Sequence, residues 1–110
     1  MTATAATLEH NESEVTANNI EVVEFESFSL PRVNQCAVAF GCTLYEVKEV
    51  GEVPQSLIFA QIEQVYIAEE VIDKESDRLE IDALALDPLS RLGGGEYATL
   101  SNVFSVTRPK

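Results

Sequence analysis

Residues 36–47 alternate with a period of two, yet both faces of that alternation are largely apolar. Val38, Phe40, Cys42 and Leu44 form one face, while Ala39, Gly41, Thr43, Tyr45 and Val47 form the other. Successive side chains of an extended strand point to opposite sides. A strand apolar on both sides is therefore covered on both sides, as in a small barrel whose outer wall packs against helices or another subunit. Gly51 and Pro54 interrupt the pattern, and a second β-rich run, 57–62, continues through 65–67. Runs near 36–49 and 55–68 are expected to pair antiparallel as a long hairpin. Phe40 is expected in the core, so that Phe40→Ala costs about 3–5 kcal/mol.

The 110 residues suit one domain, long enough to bury roughly two thirds of the surface its unfolded form exposes. With 45% apolar and 24% charged residues the composition is globular. Seven Lys+Arg against 19 Asp+Glu, a formal charge of −12, repel phosphate backbones and anionic lipid, which argues against nucleic acid and membrane surfaces as partners. The first ten residues lack the basic and apolar regions of a secretory signal, and no apolar run approaches the roughly 20 residues of a membrane span. A soluble cytoplasmic protein is expected. Cys36 and Cys42, placed on one strand, would stand roughly 20 Å apart at 3.3 Å per residue, beyond disulfide reach, and read as two buried thiols. His10 has neither a second His nor a Cys pair at ligand spacing, so no metal site is expected, and neither a catalytic triad nor a Cys–His dyad is supported.

Residues 1–18 read as a weakly ordered segment and 19–110 as the domain. Six glutamates and no Lys or Arg occupy residues 1–30, where a short helix is expected to end near Leu30 and Pro31. Residues 73–77 read as a solvated acidic loop with no likeness to a twelve-residue calcium loop. Asp82 is placed to cap a helical turn over 83–86 that Pro88 ends. Gly93, Gly94 and Gly95 impose a left-handed excursion, after which a last strand is expected over about 97–106. There is no internal repeat.

The order of several short motifs resembles the flavin reductase-like family of FMN-binding split barrels. Pro31-Arg32-Val33, then residues 37–44 (AVAFGCTL), resemble the family's "PRV…apvafEC.L" segment. Residues 57–62 resemble its next strand, with Ala60 where the family often has Gly. Residues 86–94 (LDPLSRLGG) resemble "l.PlaRLGG", and Tyr97, Phe104, Arg108 and Pro109 match its "Y……f…RP" ending. The likeness covers about residues 19–110 and corresponds to the C-terminal half of the family's domain. It implies a mainly β fold: an antiparallel partial split β-barrel of Greek-key type with short helices. The family's complete domain is a six-stranded barrel that dimerises, holds FMN in grooves at the dimer interface and takes hydride from NAD(P)H. The segments that make most flavin contacts in the family, one Asn-containing and one Lys-Asp-Thr-like, have no counterpart here. The methionine start near the family's second half fits a truncated product, a split-gene subunit or a mis-assigned start. The implied partner is a second copy in a homodimer, or a complementing N-terminal half.

The resemblance selects Arg91, Gly93, Gly94 and Tyr97 as candidate cofactor-binding residues and supplies no catalytic side chain. Arg91 suits a phosphate, since guanidinium grips phosphate oxygens in bidentate fashion; the competing role is a structural salt bridge. The glycines allow backbone amides close to a phosphate, against the simpler role of a tight turn. Tyr97 offers a ring to stack on a flavin or nicotinamide, or else belongs to the core or dimer seam. Glu69, Glu70 and the acids of 73–77 lie in polar sequence where nothing raises a carboxylate pKa, so they read as solvated. Three functions follow: a flavin reductase-like oxidoreductase, a non-catalytic β-domain acting as interaction module or half of a two-chain barrel, and a poorly folded remnant.

Overall fold

A computed structural model describes residues 2–110. The chain divides into two compact units, residues 1–66 and 67–110. Among the described residues the strands form three two-stranded sheets.

The first unit opens with a 3-10 turn at Thr2–Ala5 and a one-turn helix α1, Glu14–Ala17. Ser13 caps α1 by accepting from the Val15 N–H at 3.3 Å, and the Asn18 side chain donates to the Glu14 carbonyl at 2.8 Å. Asn19 then takes a left-handed φ of 50° and ends it. The helix expected to reach Leu30 is not formed. Strand β1 (Val22–Val23) instead pairs antiparallel with β2 (Arg32–Val33), Val22 opposite Val33 and Val23 opposite Arg32. The loop between them turns at Ser27 (φ 61°) and brings the rings of Phe25 and Phe28 to 5.4 Å. Pro31 disfavours helix in its predecessor, and an arch lets both rings leave the same side of the chain.

Strands β3 (Val38–Val50) and β4 (Gln55–Ile67) form the expected long hairpin. A connection of only residues 51–54 makes the pair antiparallel, because parallel strands need a long crossover; Gly51 supplies its positive φ of 96°. Each strand runs about 43 Å at 3.3 Å per residue, beyond the usual range. The arch covers one end of this hairpin. Phe28 lies on Gly41, where any Cβ would stand 2.9 Å from the ring, so only glycine admits this contact. Gln64 Nε2 donates to the Glu26 carbonyl at 3.2 Å, and the Arg32 guanidinium lies 3.5 Å from the centre of the Tyr66 ring.

Elsewhere the hairpin is bare. Phe40 is 58% exposed, Leu44 67% and Tyr45 72%, which corrects the expectation that Phe40 is a core residue. Both faces are apolar as read, but the described residues bring a covering layer only to the arch end. The two cysteines are corrected as well. Cys36 precedes β3 and is exposed, Cys42 is half-buried within it, and both are free thiols.

In the second unit a 3-10 turn, Glu69–Val71, carries the buried Val71, and an isolated antiparallel bridge joins Ile72 to Ile81 across the acidic loop. Asp73 N–H donates to the Glu80 carbonyl at 2.9 Å and Asp82 N–H to the Val71 carbonyl at 2.8 Å. Asp82 caps α2 (Ala83–Leu86) as expected, its carboxylate accepting from Leu84 N–H at 3.0 Å and Ala85 N–H at 3.1 Å. Asp87 ends α2 with a φ of 45° and accepts from the Leu100 N–H at 3.2 Å. Strands β5 (Ser90–Gly93) and β6 (Glu96–Ala98) close a short hairpin. The last strand therefore ends at Ala98, and residues 99–110 carry no regular structure, contrary to the expected strand to 106.

Among the described residues only Phe25, Ala68 and Val71 are buried apolar side chains. A compact 12.1 kDa chain exposes about 6,000 Å², and two separate globules of these lengths about 7,000 Å². This chain exposes 9860 Å². The excess is therefore independent of how the two units are arranged.

Candidate functional site

The short hairpin β5–β6 brings the four candidate residues together. Arg91 stands directly opposite Tyr97, between the pairs Ser90 with Ala98 and Gly93 with Glu96, and an irregularity falls between Arg91 and Gly93. Directly opposed residues of an antiparallel pair share one face, so the guanidinium and phenol leave the same side of the ribbon. Gly93, Gly94 and Gly95 take φ values of 123°, 55° and 86°, conformations costly to any residue with a Cβ. No atom lies within 4 Å of where a Cβ would stand at any of the three, so their backbone is open to an approaching group.

Arg91 is exposed and Tyr97 half-buried. No carboxylate lies within salt-bridge distance of Arg91 among the described residues, so the structural salt bridge finds no partner there. An unpaired guanidinium, open glycine backbone and an aromatic ring on one small ribbon are of the right kinds for a phosphate joined to a flat ring system. The four candidate residues thus fit such a group in type.

The acidic stretch forms an open hollow lined by Glu69, Glu70, Asp73, Glu75 and Asp82 with Ile72 and Ile81. Asp73 and Ser76 turn back on their own loop, accepting from the Glu75 and Arg78 N–H groups. No group of three or more His, Cys, Asp or Glu among the described residues is arranged to hold a metal. An apolar groove in the first unit is lined by Phe25, Phe28, Pro31, Val38, Phe40 and Cys42. Sequence reading passed over Arg32, which with Glu24, Glu26 and Tyr66 lines a third hollow. Its signal was available: a cation inside Pro31-Arg32-Val33, in a chain with few cations.

No protein-family model matches the chain. An uncharacterized protein of Bacillus subtilis (strain 168), YwrF, is 32% identical over a 110-position alignment that covers 96% of this chain and 53% of the relative. The crystal structure of nitrilotriacetate monooxygenase component B from Bacillus cereus superposes with a TM-score of 0.81 at 30% identity, over 96% of this chain and 52% of that one. A split-barrel-domain protein of Shewanella frigidimarina NCIMB 400, assigned as a flavin reductase, superposes with a TM-score of 0.78 at 19% identity and shares the fold.

The class is thereby defined: the chain has the flavin reductase-like split-barrel fold, mainly β with two short helices and small open sheets. In particular it resembles part of a chain such as YwrF or the monooxygenase component B, and it spans about half the length of either. No helix among the described residues is long and apolar enough to cross a membrane.

Proposed function

We propose that the chain is one half of an FMN-binding flavin reductase-like protein of the NAD(P)H:flavin oxidoreductase type, and that Arg91, Gly93, Gly94 and Tyr97 form its share of the flavin site. The observation that carries this reading is the superposition, at a TM-score of 0.81, on half of a monooxygenase component, with the Arg91-Leu92-Gly93-Gly94 motif and Tyr97 on one open hairpin. FMN, when bound, supplies hydride acceptance from a nicotinamide cofactor. The chain's own residues bind and orient: Arg91 holds a phosphate, the glycines let backbone approach it, and Tyr97 lies against a ring. One arginine in an acidic chain is a weak anion site, and an open wall must order itself on binding, which subtracts from affinity. Completion of the site is assigned to a polypeptide carrying the rest of the barrel, in the cytoplasm.

A second reading, a non-catalytic β-module that serves as half of a two-chain barrel, is favoured by the bare hairpin. Titration with FMN, followed by flavin fluorescence, separates the two. The chain alone is expected to bind weakly or not at all, and to gain binding when the part of YwrF outside the matched half is supplied. Arg91→Ala in that reconstituted complex is expected to weaken FMN about tenfold, or about 1.4 kcal/mol. Submicromolar binding by the chain alone overturns the half-site reading. Failure of the reconstituted complex to take up FMN overturns the flavin function and leaves the β-module.

A further inference from the structure

We propose that the apolar groove beside the arch of the first unit binds a small aromatic monocarboxylate, its ring among Phe25, Phe28 and Phe40 and its carboxylate on Arg32. Every residue involved lies within 1–66, whereas Arg91, Gly93, Gly94 and Tyr97 lie within 67–110, so the proposal does not rest on the flavin reading. The groove encloses about 350 Å³, the lower end of the range that small-molecule sites occupy. Its wall is largely preformed. Phe28 is held on Gly41 and against Phe25, while Phe40, 58% exposed, leaves its ring available to an incoming one. Offset or edge-to-face contacts among such rings favour a flat aromatic body over an aliphatic one of similar area.

The charge of the occupant follows from Arg32. In a chain with 19 Asp+Glu and seven Lys+Arg, no carboxylate lines this groove, and Arg32 alone brings a formal charge to it among the described residues. The Tyr66 ring covers one face of the guanidinium at 3.5 Å. That contact engages the face of the cation and leaves its N–H donors pointing outward in their plane, the fork that matches the two oxygens of a carboxylate. No ion pair engages Arg32 among the described residues, although Glu24 and Glu26 share the neighbouring hollow with it. Arg32 walls both hollows, so an acid whose ring fills the groove has its carboxylate at the guanidinium. Those two glutamates and the net charge of −12 repel a doubly charged phosphate more strongly than a singly charged carboxylate, which selects the latter.

Titration of the full chain with cinnamate, followed residue by residue through amide NMR shifts, tests the proposal. Saturable shifts are expected at Phe28, Arg32 and Cys42, with a Kd on the order of 1 mM for so small a ligand. Cinnamyl alcohol, which keeps the ring and lacks the charge, is expected to bind about tenfold more weakly, and octanoate, which keeps the charge and lacks the ring, about fivefold more weakly. Arg32→Met retains an apolar stem against Tyr66 and is expected to bring cinnamate down to the level of the alcohol; Phe40→Ala, at an exposed ring, is expected to weaken it about fivefold. The comparison of ligands on the unmodified chain decides the matter even if Arg32→Met fails to fold. Shifts absent from the groove or confined to the bare part of the β3–β4 hairpin, alcohol or octanoate binding as tightly as cinnamate, or a folded Arg32→Met variant with undiminished binding each overturns the proposal.

Discussion

Gly41 shows what one hydrogen in place of a methyl permits. Its missing side chain is the seat of the Phe28 ring, and a Cβ there would stand 2.9 Å from two ring carbons. Gly41→Ala is expected to destabilise the first unit by about 1–3 kcal/mol, as insertion into packed contacts does, and Phe28→Leu in the same chain to recover part of the loss in urea melts. Phe40, one residue earlier on the opposite face, behaves otherwise. Read as a core aromatic it carries a cost of about 3–5 kcal/mol on truncation, but at 58% exposure Phe40→Ala is expected to change the stability of the chain by less than about 1 kcal/mol. The residue types on the two faces were legible; whether anything covers them was not, because exposure depends on neighbours distant in sequence. Asp82 lies at the other extreme. Its capping role depends only on the next three residues, and the carboxylate bonds Leu84 and Ala85 as the local pattern implied.

At the scale of elements, that cap is directly testable. Asp82→Ala is expected to remove about 1 kcal/mol from α2, read as several-fold faster amide exchange at Leu84 and Ala85. The β5–β6 turn has a comparable local logic: Gly94 sits at φ 55°, so Gly94→Val is expected to cost about 1–2 kcal/mol and to loosen the pairing of Arg91 with Tyr97. Two elements departed from expectation. The helix toward Leu30 gave way to an arch because Val22–Val23 finds a partner in Arg32–Val33, a pairing across residues that no local propensity encodes. The strand expected to run to Val106 stops at Ala98: a β-favouring sequence becomes a strand only when hydrogen-bonded to a neighbour, and among the described residues no backbone–backbone bond reaches residues 99–106. Of the candidate site, the motif residues were legible in order, while the opposition of Arg91 and Tyr97 is a matter of register.

At the scale of the whole molecule, a long hairpin covered at one end and three buried apolar side chains among the described residues leave little to oppose the entropy of ordering the chain. The isolated chain is expected to melt over a broad range and to bind a hydrophobic dye such as ANS, with dye fluorescence falling when the complementing part of a relative is added; dye binding unchanged by that addition would show that the bare faces are not barrel interior. The sequence by itself determined the mainly β class, the central hairpin, the Asp82 cap, the left-handed glycine turn and the family likeness, since each rests on alternation, backbone freedom or motif order along a few neighbouring residues. Only the tertiary structure decided which apolar faces are covered, where Cys36 and Cys42 lie, that Arg32 rests on Tyr66, and that residues 99–110 join no sheet among the described residues. Those outcomes depend on contacts between segments far apart in the chain, and a periodic apolar pattern states the need for a partner without saying which residues provide it.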